Sequence, residues 1–277
     1  MDEAGSLYLD LLKRCLMNTI YSDYEVCEFV PSRRYKRLLF RSVLKPLLNR
    51  SGAKVVVPYE YDWEKRRNGT DWSPMAHTMI GQNRLDNLQN CIQTVLEENV
   101  PGDFLEAGVW RGGATIFMRG MLKAWGNTSR KVWAADSFAG LPAPNEHEYP
   151  KDKGDQHHTF RELAISLETV QENFRKYGLL DEQVCFLKGW FKDTLPLAPI
   201  KELAILRLDG DMYESTMDGL RHLYPKLSPG GFLIVDDYGA VKACREAVHD
   251  YRTNHRIDEE IVTIDWGGVY WQKAVAS

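Results

Sequence analysis

The spacing of hydrophobic positions changes near residue 100. Before this point, apolar residues recur at the spacing of an amphipathic helix in three segments, residues 5–20, 33–48 and 82–100. Residues 51–75 instead mix glycine, proline, aromatic and charged residues, which is typical of a long loop or lid. The pattern therefore predicts a helical N-terminal extension and lid over residues 1–100.

The first two predicted helices differ in their side chains. The second is basic, and its Lys and Arg side chains are expected to form a solvated or packing face. The first carries an apolar face made of Leu7, Leu11, Leu12, Leu16 and Ile20.

Beyond Pro101, strand and helix patterns alternate, which predicts a mostly parallel sheet covered by helices on both faces. The last two predicted strands are joined by a Trp-Gly-Gly turn and should form an antiparallel hairpin at one edge. Residues 101–277 are thus expected to be one α/β domain. The predicted strands are 103–108, 131–136, 183–189, 203–211, 230–237, 259–265 and 268–275, and the predicted helices are 112–125, 159–178, 213–227 and 240–254.

Composition gives no reason to expect a nucleic acid or a membrane as partner. Hydrophobic residues make up 44% of the chain and charged residues 27%, as in ordinary globular proteins. Lys plus Arg number 35 and Asp plus Glu number 39, which gives a net charge of -4. This balance lacks the excess positive charge that polyanions attract.

The first residues and the cysteines favour a cytoplasmic protein. The N-terminal apolar stretch begins with acidic residues and contains charges, so neither a signal peptide nor a membrane span is expected there. No two cysteines have the spacing of a zinc site or a redox pair, which fits a reducing compartment. The cysteines are Cys15, Cys27, Cys91, Cys185 and Cys244.

The stretch DFLEAGVWRGGATIFM, residues 103–118, predicts a buried strand that passes through glycines into a helix. In a doubly wound sheet such a turn lies where ligands bind. Trp110 stands where the dinucleotide motif Gly-x-Gly-x-x-Gly needs its second glycine, which disfavours a nicotinamide-dependent dehydrogenase. A Walker phosphate loop is not expected either, because no Gly-Lys-Ser/Thr follows.

Two acidic residues accompany this turn. Glu106 precedes it and can either order the loop or meet an ammonium group, while Gly108 lets a ligand lie against the backbone. Asp136 ends the next strand, where a carboxylate can accept hydrogen bonds from two ribose hydroxyls. Together they indicate a nucleoside ligand with an amino acid end and no pyrophosphate, which describes S-adenosylmethionine. Alternatively, the glycines serve packing and Asp136 caps the next segment.

Four carboxylates follow two later strands. Asp209 and Asp211 end one strand, and Asp236 and Asp237 end the next. If these strands are neighbours, the carboxylates converge and need a compensating cation, and all-oxygen ligation favours Mg²⁺. Asp209, Asp236 and Asp237 are then the best metal ligands, and Asp211 is free to act as a base. Each aspartate could instead cap a helix, although capping does not explain four in apposition.

Several segments resemble the macrocin O-methyltransferases, a family that methylates sugar hydroxyls on macrolide and aminocoumarin antibiotics. The resemblance runs from about residue 7 to 272, whereas residues 30–72 look longer and more basic than the family pattern and leave the acceptor open. The segments include YLDLLKRCLMNTIY, RLDNL, EAGVWRGGATIFMRG, ADSFAGLP, GWFKDTLP, LRLDGDMYESTMD, YPKLSPGGFLIVDDYG, CREAVHDYR and IDWGGVYW.

This resemblance implies an α/β class I methyltransferase fold, Rossmann-like and doubly wound, with an added helical N-terminal region. It also implies S-adenosylmethionine as donor, Mg²⁺ as cofactor and a homo-oligomer of at least two chains. By position, the metal ligands fall on Asp209, Asp236 and Asp237, and the base falls on Asp211. The implied donor contacts are Met79, Glu106, Gly108, Trp110, Asp136, Ser137, Gly189 and Trp190.

Two further side chains have alternative interpretations. Trp190 could stack on an adenine ring or be an ordinary packed aromatic residue. His157, in the segment GDQHHTF, is a candidate base or substrate clamp, although loop histidines commonly have neither role.

The resulting hypothesis is methyl transfer to one hydroxyl of a vicinal diol, on a sugar of a glycosylated natural product. Mg²⁺ would orient the diol, Asp211 would accept the proton, and residues 51–75 and 138–158 would close over the site. A catechol-like acceptor needs the same geometry and is one alternative. A non-catalytic protein that binds the nucleoside ligand is another, although it has no need of four carboxylates.

Overall fold

A computed structural model describes residues 2–275. A seven-stranded sheet forms its centre, with strand order β5-β4-β3-β6-β7-β9-β8, and β1 and β2 pair separately. The strands are β1 (Val26–Glu28), β2 (Val56–Pro58), β3 (Asp103–Ala107), β4 (Val132–Asp136), β5 (Val184–Lys188), β6 (Leu203–Leu208), β7 (Leu227–Val235), β8 (Val262–Thr263) and β9 (Val269–Gln272).

Helices cover both faces of this sheet. One hydrophobic cluster contains side chains of α1, α5, α6 and α7, and the other contains side chains of α9 and α10. The helices are α1 (Glu3–Leu16), α2 (Arg34–Leu39), α3 (Lys45–Arg50), α4 (Trp63–Asn68), α5 (Gln82–Glu97), α6 (Gly113–Ala124), α7 (Leu167–Lys176), α8 (Phe191–Thr194), α9 (Tyr213–Leu223) and α10 (Lys242–His255).

The predicted doubly wound α/β sheet with an antiparallel C-terminal hairpin is confirmed. Strands β3 to β7 pair in parallel, while β9 pairs antiparallel with β7 and with β8. The chain leaves β3 toward β4 and β5, then crosses to β6 and β7 on the other side. The strand order therefore reverses between β3 and β6, and a ligand crevice is expected at their carboxyl ends.

The predicted N-terminal helix exists, but its buried face differs from the prediction. Leu7 and Leu11 are exposed, whereas Leu9 is fully buried. The buried positions of α1 face α6, where a Cβ added at Gly120 would lie 2.3 Å from the end of the Leu12 side chain. Leucines occur on both sides of this helix, so periodicity alone could not choose between the faces.

The predicted loop at residues 51–75 was only partly correct, because it contains β2 and α4. β2 pairs antiparallel with β1, and α4 buries Arg66, which binds Glu25 at 3.0 Å and Asp71 at 2.7 Å. Arg66 thus stabilises a polar cluster that fixes this segment. The division into two domains at residue 100, with a lid, stays a prediction.

One helix near the site is shorter than predicted. α7 begins at Leu167, with the Ser166 side chain as its N-cap, and 3₁₀ turns occupy the residues before it. Among the helices of residues 2–275, none has both the length and the apolar character needed to span a membrane.

Candidate active site

The glycine turn after β3 lies against the end of β6. Gly108 has φ +89°, and a Cβ there would lie 1.7 Å from the carbonyl oxygen of Asp209. The backbone N–H of Asp209 donates to the carbonyl of Ala107 at 2.8 Å. Only glycine fits this close approach, so its position in the sequence reflects the contact between two strand ends as well as ligand access.

Asp136 orders the turn from the neighbouring strand end. Its carboxylate accepts the backbone N–H of Val109 at 2.8 Å and that of Phe138 at 2.6 Å. Burial raises its pKa, and these hydrogen bonds oppose the rise. Each carboxylate oxygen retains acceptor capacity for a ligand hydroxyl.

A cleft opens above this turn, and most of the residues predicted to contact the methyl donor line it. Gly189, just before Trp190, is not part of its wall, and Glu106 instead lines a second, adjoining cleft. The residues of this predicted set that line the first cleft are Met79, Gly108, Trp110, Asp136, Ser137 and Trp190.

Glu106 is buried and has polar partners within the protein. It accepts hydrogen bonds from Arg207 at 2.5 Å and from the hydroxyl of Thr115. Burial raises its pKa, and Arg207 opposes that rise. This geometry favours the interpretation that Glu106 orders the loop.

The acidic ends of β6 and β7 converge as predicted. The two strands are parallel neighbours, and one carboxylate oxygen each from Asp209, Asp236 and Asp237 lies within 4.8 Å of the others. The structure thus brings together the three residues predicted to bind a metal. Their metal binding stays a prediction.

Two arginines that the sequence did not reveal lie within this cluster. Arg207, on β6, donates to Asp209 at 2.8 Å and also to Asp236. Arg84, on α5, donates to the other oxygen of Asp236 at 2.5 Å. Arg207 could have been noticed as the charged position in the otherwise apolar strand LAILRL, whereas Arg84 stands in an ordinary amphipathic helix.

These guanidinium groups compensate only part of the negative charge. Burial raises the pKa of Asp236, but Arg207 and Arg84 outweigh it and hold that pKa below its usual value. Burial and Asp236 raise the pKa of Asp209 to about 8. Burial and the neighbouring aspartates raise the pKa of Asp237 well above its usual value. A hard divalent cation fits this set of oxygens, because it would supply the missing positive charge.

Asp211 lies where the two clefts meet and lines both of them. Its backbone is left-handed, with φ +55°, and its N–H donates to Asp237 at 3.0 Å. Burial raises the pKa of Asp211 to about 6, although His157 opposes the rise. A carboxylate so placed can exchange a proton near neutral pH.

His157 lines the second cleft. Its Nδ1 lies 2.6 Å from a carboxylate oxygen of Asp155. Burial lowers its pKa, but Asp211 and Asp155 outweigh burial and raise it. His157 therefore lies beside the acidic cluster, at the start of a 3₁₀ turn, and closure of its segment over the site stays a prediction.

The family of this chain follows from a comparison of sequences. The pattern of the family described as Macrocin-O-methyltransferase (TylF) matches residues 5–273. The chain belongs to this family. It is an S-adenosylmethionine-dependent O-methyltransferase with a class I fold.

Two relatives are each 49% identical to this chain. One is the 8-demethyl-8-(2,3-dimethoxy-alpha-L-rhamnosyl)-tetracenomycin-C 4'-O-methyltransferase of Streptomyces olivaceus, matched over 100% of this chain and 96% of that protein. The other is the mycinamicin III 3''-O-methyltransferase of Micromonospora griseorubida, matched over 97% of this chain and 96% of that protein.

Solved structures agree with this assignment. The O-methyltransferase NovP is 47% identical, with a TM-score of 0.83 over 98% of this chain and 100% of that chain. The calicheamicin methyltransferase CalS11 is 16% identical, with a TM-score of 0.58 over 88% of this chain and 95% of that chain. The second similarity concerns the fold alone.

Proposed function

We propose that this macrocin O-methyltransferase family member transfers a methyl group to one hydroxyl of a vicinal diol, on a sugar of a glycosylated natural product, with Mg²⁺ as cofactor. The observation that carries the proposal is the position of Asp211. It lies between the donor cleft and the second cleft, beside three converging aspartates. A proton acceptor and a cation-binding set thus stand together where donor and acceptor would meet.

The names of the relatives support a sugar acceptor. One is named for a rhamnosyl tetracenomycin and another for mycinamicin III. A third, 49% identical over 97% of this chain, is the demethyldecarbamoylnovobiocin O-methyltransferase of Streptomyces niveus. The relatives thus have different aglycones, so the sequence family leaves the aglycone of the present acceptor open.

The donor would occupy the first cleft. S-adenosylmethionine supplies the methyl group from its sulfonium. Asp136 and Ser137 would face the ribose, Trp190 would contact the adenine, and Gly108 would let the amino acid end lie against the backbone. The ordered hydrogen bonds of Asp136 keep this surface in place before the ligand arrives.

Asp209, Asp236 and Asp237 would hold Mg²⁺, which supplies positive charge that lowers the pKa of a hydroxyl and fixes the diol. Arg207 and Arg84 keep Asp236 ionised and oriented. Asp211 accepts the hydroxyl proton on its carboxylate, and the oxygen then attacks the methyl carbon as its bond to the sulfonium sulfur breaks, which releases S-adenosylhomocysteine. Holding the two reactants in line accounts for much of the rate enhancement.

The proposal is tested by incubating the purified protein with S-adenosylmethionine, Mg²⁺ and three acceptors. These are a rhamnosylated polyketide with free vicinal hydroxyls, its aglycone, and catechol. Mass spectrometry should show methylation of the glycoside alone and its loss in excess chelator. Full activity in chelator would remove the metal from the mechanism, and methylation of catechol alone would replace the sugar by an aromatic diol.

A homo-oligomer is the second part of the proposal. The helical segment from α2 to α3 exposes several large apolar side chains, as expected of a surface that a second copy covers. Light scattering coupled to gel filtration should show at least a dimer, and Leu38→Glu with Leu47→Glu should yield a monomer. Leu197→Glu, at an exposed leucine far along the chain, is the control. The exposed side chains include Tyr35, Leu38, Leu39, Val43 and Leu47.

The cytoplasm remains the proposed location. All five cysteines are unpaired within the described residues, which fits a reducing compartment. Fractionation of producing cells, followed by detection of the protein in each fraction, tests this.

A further inference from the structure

The second cleft has an aromatic lining that the proposed mechanism does not use. Trp72 and Trp266 both line it, together with Asp209, Asp236 and Asp237. Trp72 is 53% exposed and Trp266 is 51% exposed. An indole left half in water inside a cleft offers a flat apolar surface to a ligand.

Trp266 is fixed in place although half of it is exposed. Its ring N–H donates to the carbonyl of Asn68 at 2.7 Å, and the guanidinium of Arg84 lies over the ring, 5.1 Å from its centre. The preceding Asp265 holds the turn by accepting the backbone N–H groups of Gly267 at 2.9 Å and Gly268 at 2.8 Å. The indole is therefore a preformed surface.

Arg84 connects this surface to the acidic cluster. Its Nη1 donates to Asp236 at 2.5 Å, and its Nε donates to Asp265 at 2.8 Å. One guanidinium thus contacts the indole, its turn and a proposed metal ligand. Gly267 is needed for this arrangement, because a Cβ there would lie 2.4 Å from Nη2 of Arg84. The position of Trp266 relative to the carboxylates is consequently set by the fold.

Trp72 comes from a different part of the chain, and its neighbours in sequence are anchored by buried polar contacts. Its neighbour Asp71 is buried and accepts from Arg66 at 2.7 Å, while the hydroxyl of Ser73, on its other side, donates to Glu25. The ring of Trp72 makes an edge-to-face contact with Phe160, with 6.0 Å between the ring centres. The backbone around this indole is thus anchored by buried polar groups.

We propose that Trp72 and Trp266 form the subsite for the pyranose ring that carries the reacting hydroxyls. This inference rests on the proposed function and names what recognises its substrate class. The C–H face of a pyranose stacks on an aromatic ring, and its hydroxyls project from the ring edge. Stacking in this cleft directs those hydroxyls toward the carboxylates, with which the two indoles share the cleft lining.

The subsite is tested with methyl α-L-rhamnopyranoside as the probe and the full chain bound to S-adenosylhomocysteine. Saturation-transfer NMR, which detects weak binding, should show the strongest saturation on the ring C–H protons. Trp266→Ala and Trp72→Ala should each weaken binding of this probe by about two- to tenfold, the range expected for one aromatic stacking contact. Trp266→Phe keeps an aromatic face and should retain most of the signal.

The matched control is Trp63→Ala, because Trp63 is also half exposed, at 45%, but is not part of either cleft wall. Its saturation signal should equal that of the wild type. Calorimetry should show that all variants bind S-adenosylhomocysteine with unchanged affinity, which excludes unfolding as the cause of a lost signal.

Two results would overturn the subsite: no saturation of the rhamnoside by the wild-type protein, or unchanged saturation in both alanine variants. Catechol is run in parallel, and saturation of catechol without the rhamnoside would also reject the pyranose. Failure of the proposed function is distinguishable from these results. Rhamnoside binding that needs the indoles, without methylation of any glycoside, would reject the function and keep the subsite. Methylation of a glycoside with an unchanged KM for that glycoside in both alanine variants would keep the proposed function and reject the subsite.

Discussion

Arg207 on β6 and Asp236 at the end of β7 form a buried ion pair at the centre of the acidic cluster. The same guanidinium binds Glu106 at 2.5 Å and Asp209 at 2.8 Å. One cation therefore connects the glycine turn, where the donor is expected, to the proposed metal ligands. Arg207 is thus the one described cation that pairs with carboxylates at the ends of β3, β6 and β7 together, while Arg84 pairs with Asp236 alone among them.

Arg207→Met should destabilise the fold strongly. It leaves Glu106 and Asp209 without their cationic partner and Asp236 with Arg84 alone, and loss of one member of a buried pair costs about 3–5 kcal/mol. Urea denaturation followed by circular dichroism measures the change. Arg175→Met is the control, because Arg175 binds Glu172 on the exposed surface and its loss should cost less than about 1 kcal/mol. Equal losses in the two variants would contradict the assigned role of Arg207.

Gly108→Ala should abolish donor binding and destabilise the protein. A Cβ at this position would lie 1.7 Å from the carbonyl of Asp209, so β3 and β6 would have to separate. We expect a loss of roughly 3 kcal/mol or more in unfolding free energy, combining backbone strain and overpacking. Calorimetry should detect no binding of S-adenosylhomocysteine.

Gly126→Ala is the matched control for this substitution. Gly126 also has a positive φ, +62°, but its added Cβ would meet no atom within 4 Å. This variant should lose only about 1 kcal/mol of unfolding free energy and should bind S-adenosylhomocysteine normally. Normal binding by Gly108→Ala would show that the turn does not contact the donor.

The alternation of strands with helices and the convergence of the aspartates could be predicted from the sequence because both follow local rules. Apolar runs mark buried parallel strands, and polar residues after such runs lie at the sheet edge. Asp209 and Asp236 were found in this way. This reasoning located the residues of the candidate site that directly follow a strand.

Arg84, Trp72 and Trp266 could not be predicted in the same way. Their positions depend on contacts between distant parts of the chain: Arg84 with Asp265, Trp266 with Asn68, and Trp72 with Phe160. No local pattern encodes such pairs. The predicted face of α1 was only partly correct for a related reason: Leu12 and Leu16 are buried, but Leu7 and Leu11 are exposed and Leu9 is buried instead, because tertiary packing selects the face.

Asp211→Asn should bind donor and metal but turn over slowly. Asparagine tolerates the left-handed backbone at this position, and the backbone N–H that donates to Asp237 is retained. Only the proton acceptor is lost, so kcat should fall by about 10²–10⁴-fold. Calorimetry with S-adenosylhomocysteine and with Mn²⁺ should give near wild-type affinities.

His157→Gln provides the comparison for the base assignment. His157 is the other candidate, and its ring binds Asp155 at 2.6 Å. A decrease in kcat smaller than about tenfold is expected, because the histidine would only orient neighbouring groups. Near-normal turnover by Asp211→Asn together with inactivity of His157→Gln would transfer the role of base to the histidine.

His77 should make the protein less stable as the pH falls from about 6.5 to about 4. Burial, with Lys176 and Arg111 nearby, lowers the pKa of His77 to about 4, and its Nδ1 lies 2.6 Å from the hydroxyl of Tyr177. The unfolded chain retains the ordinary value near 6.5 and binds a proton in this window that the folded protein does not. The resulting loss of unfolding free energy is roughly 1–3 kcal/mol, which is less than the full pKa shift would give because the ring is only partly buried.

His77→Asn removes this titration and keeps a side chain that can form a hydrogen bond with the Tyr177 hydroxyl. Urea unfolding at pH 8 and at pH 4.5 should show that the wild type loses more stability in acid than the variant does. Tyr177→Phe keeps a buried histidine and should retain the wild-type pH dependence, even if its stability is lower throughout. If wild type and His77→Asn lost the same unfolding free energy between pH 8 and pH 4.5, this histidine would be protonated as easily in the folded chain as in the unfolded one.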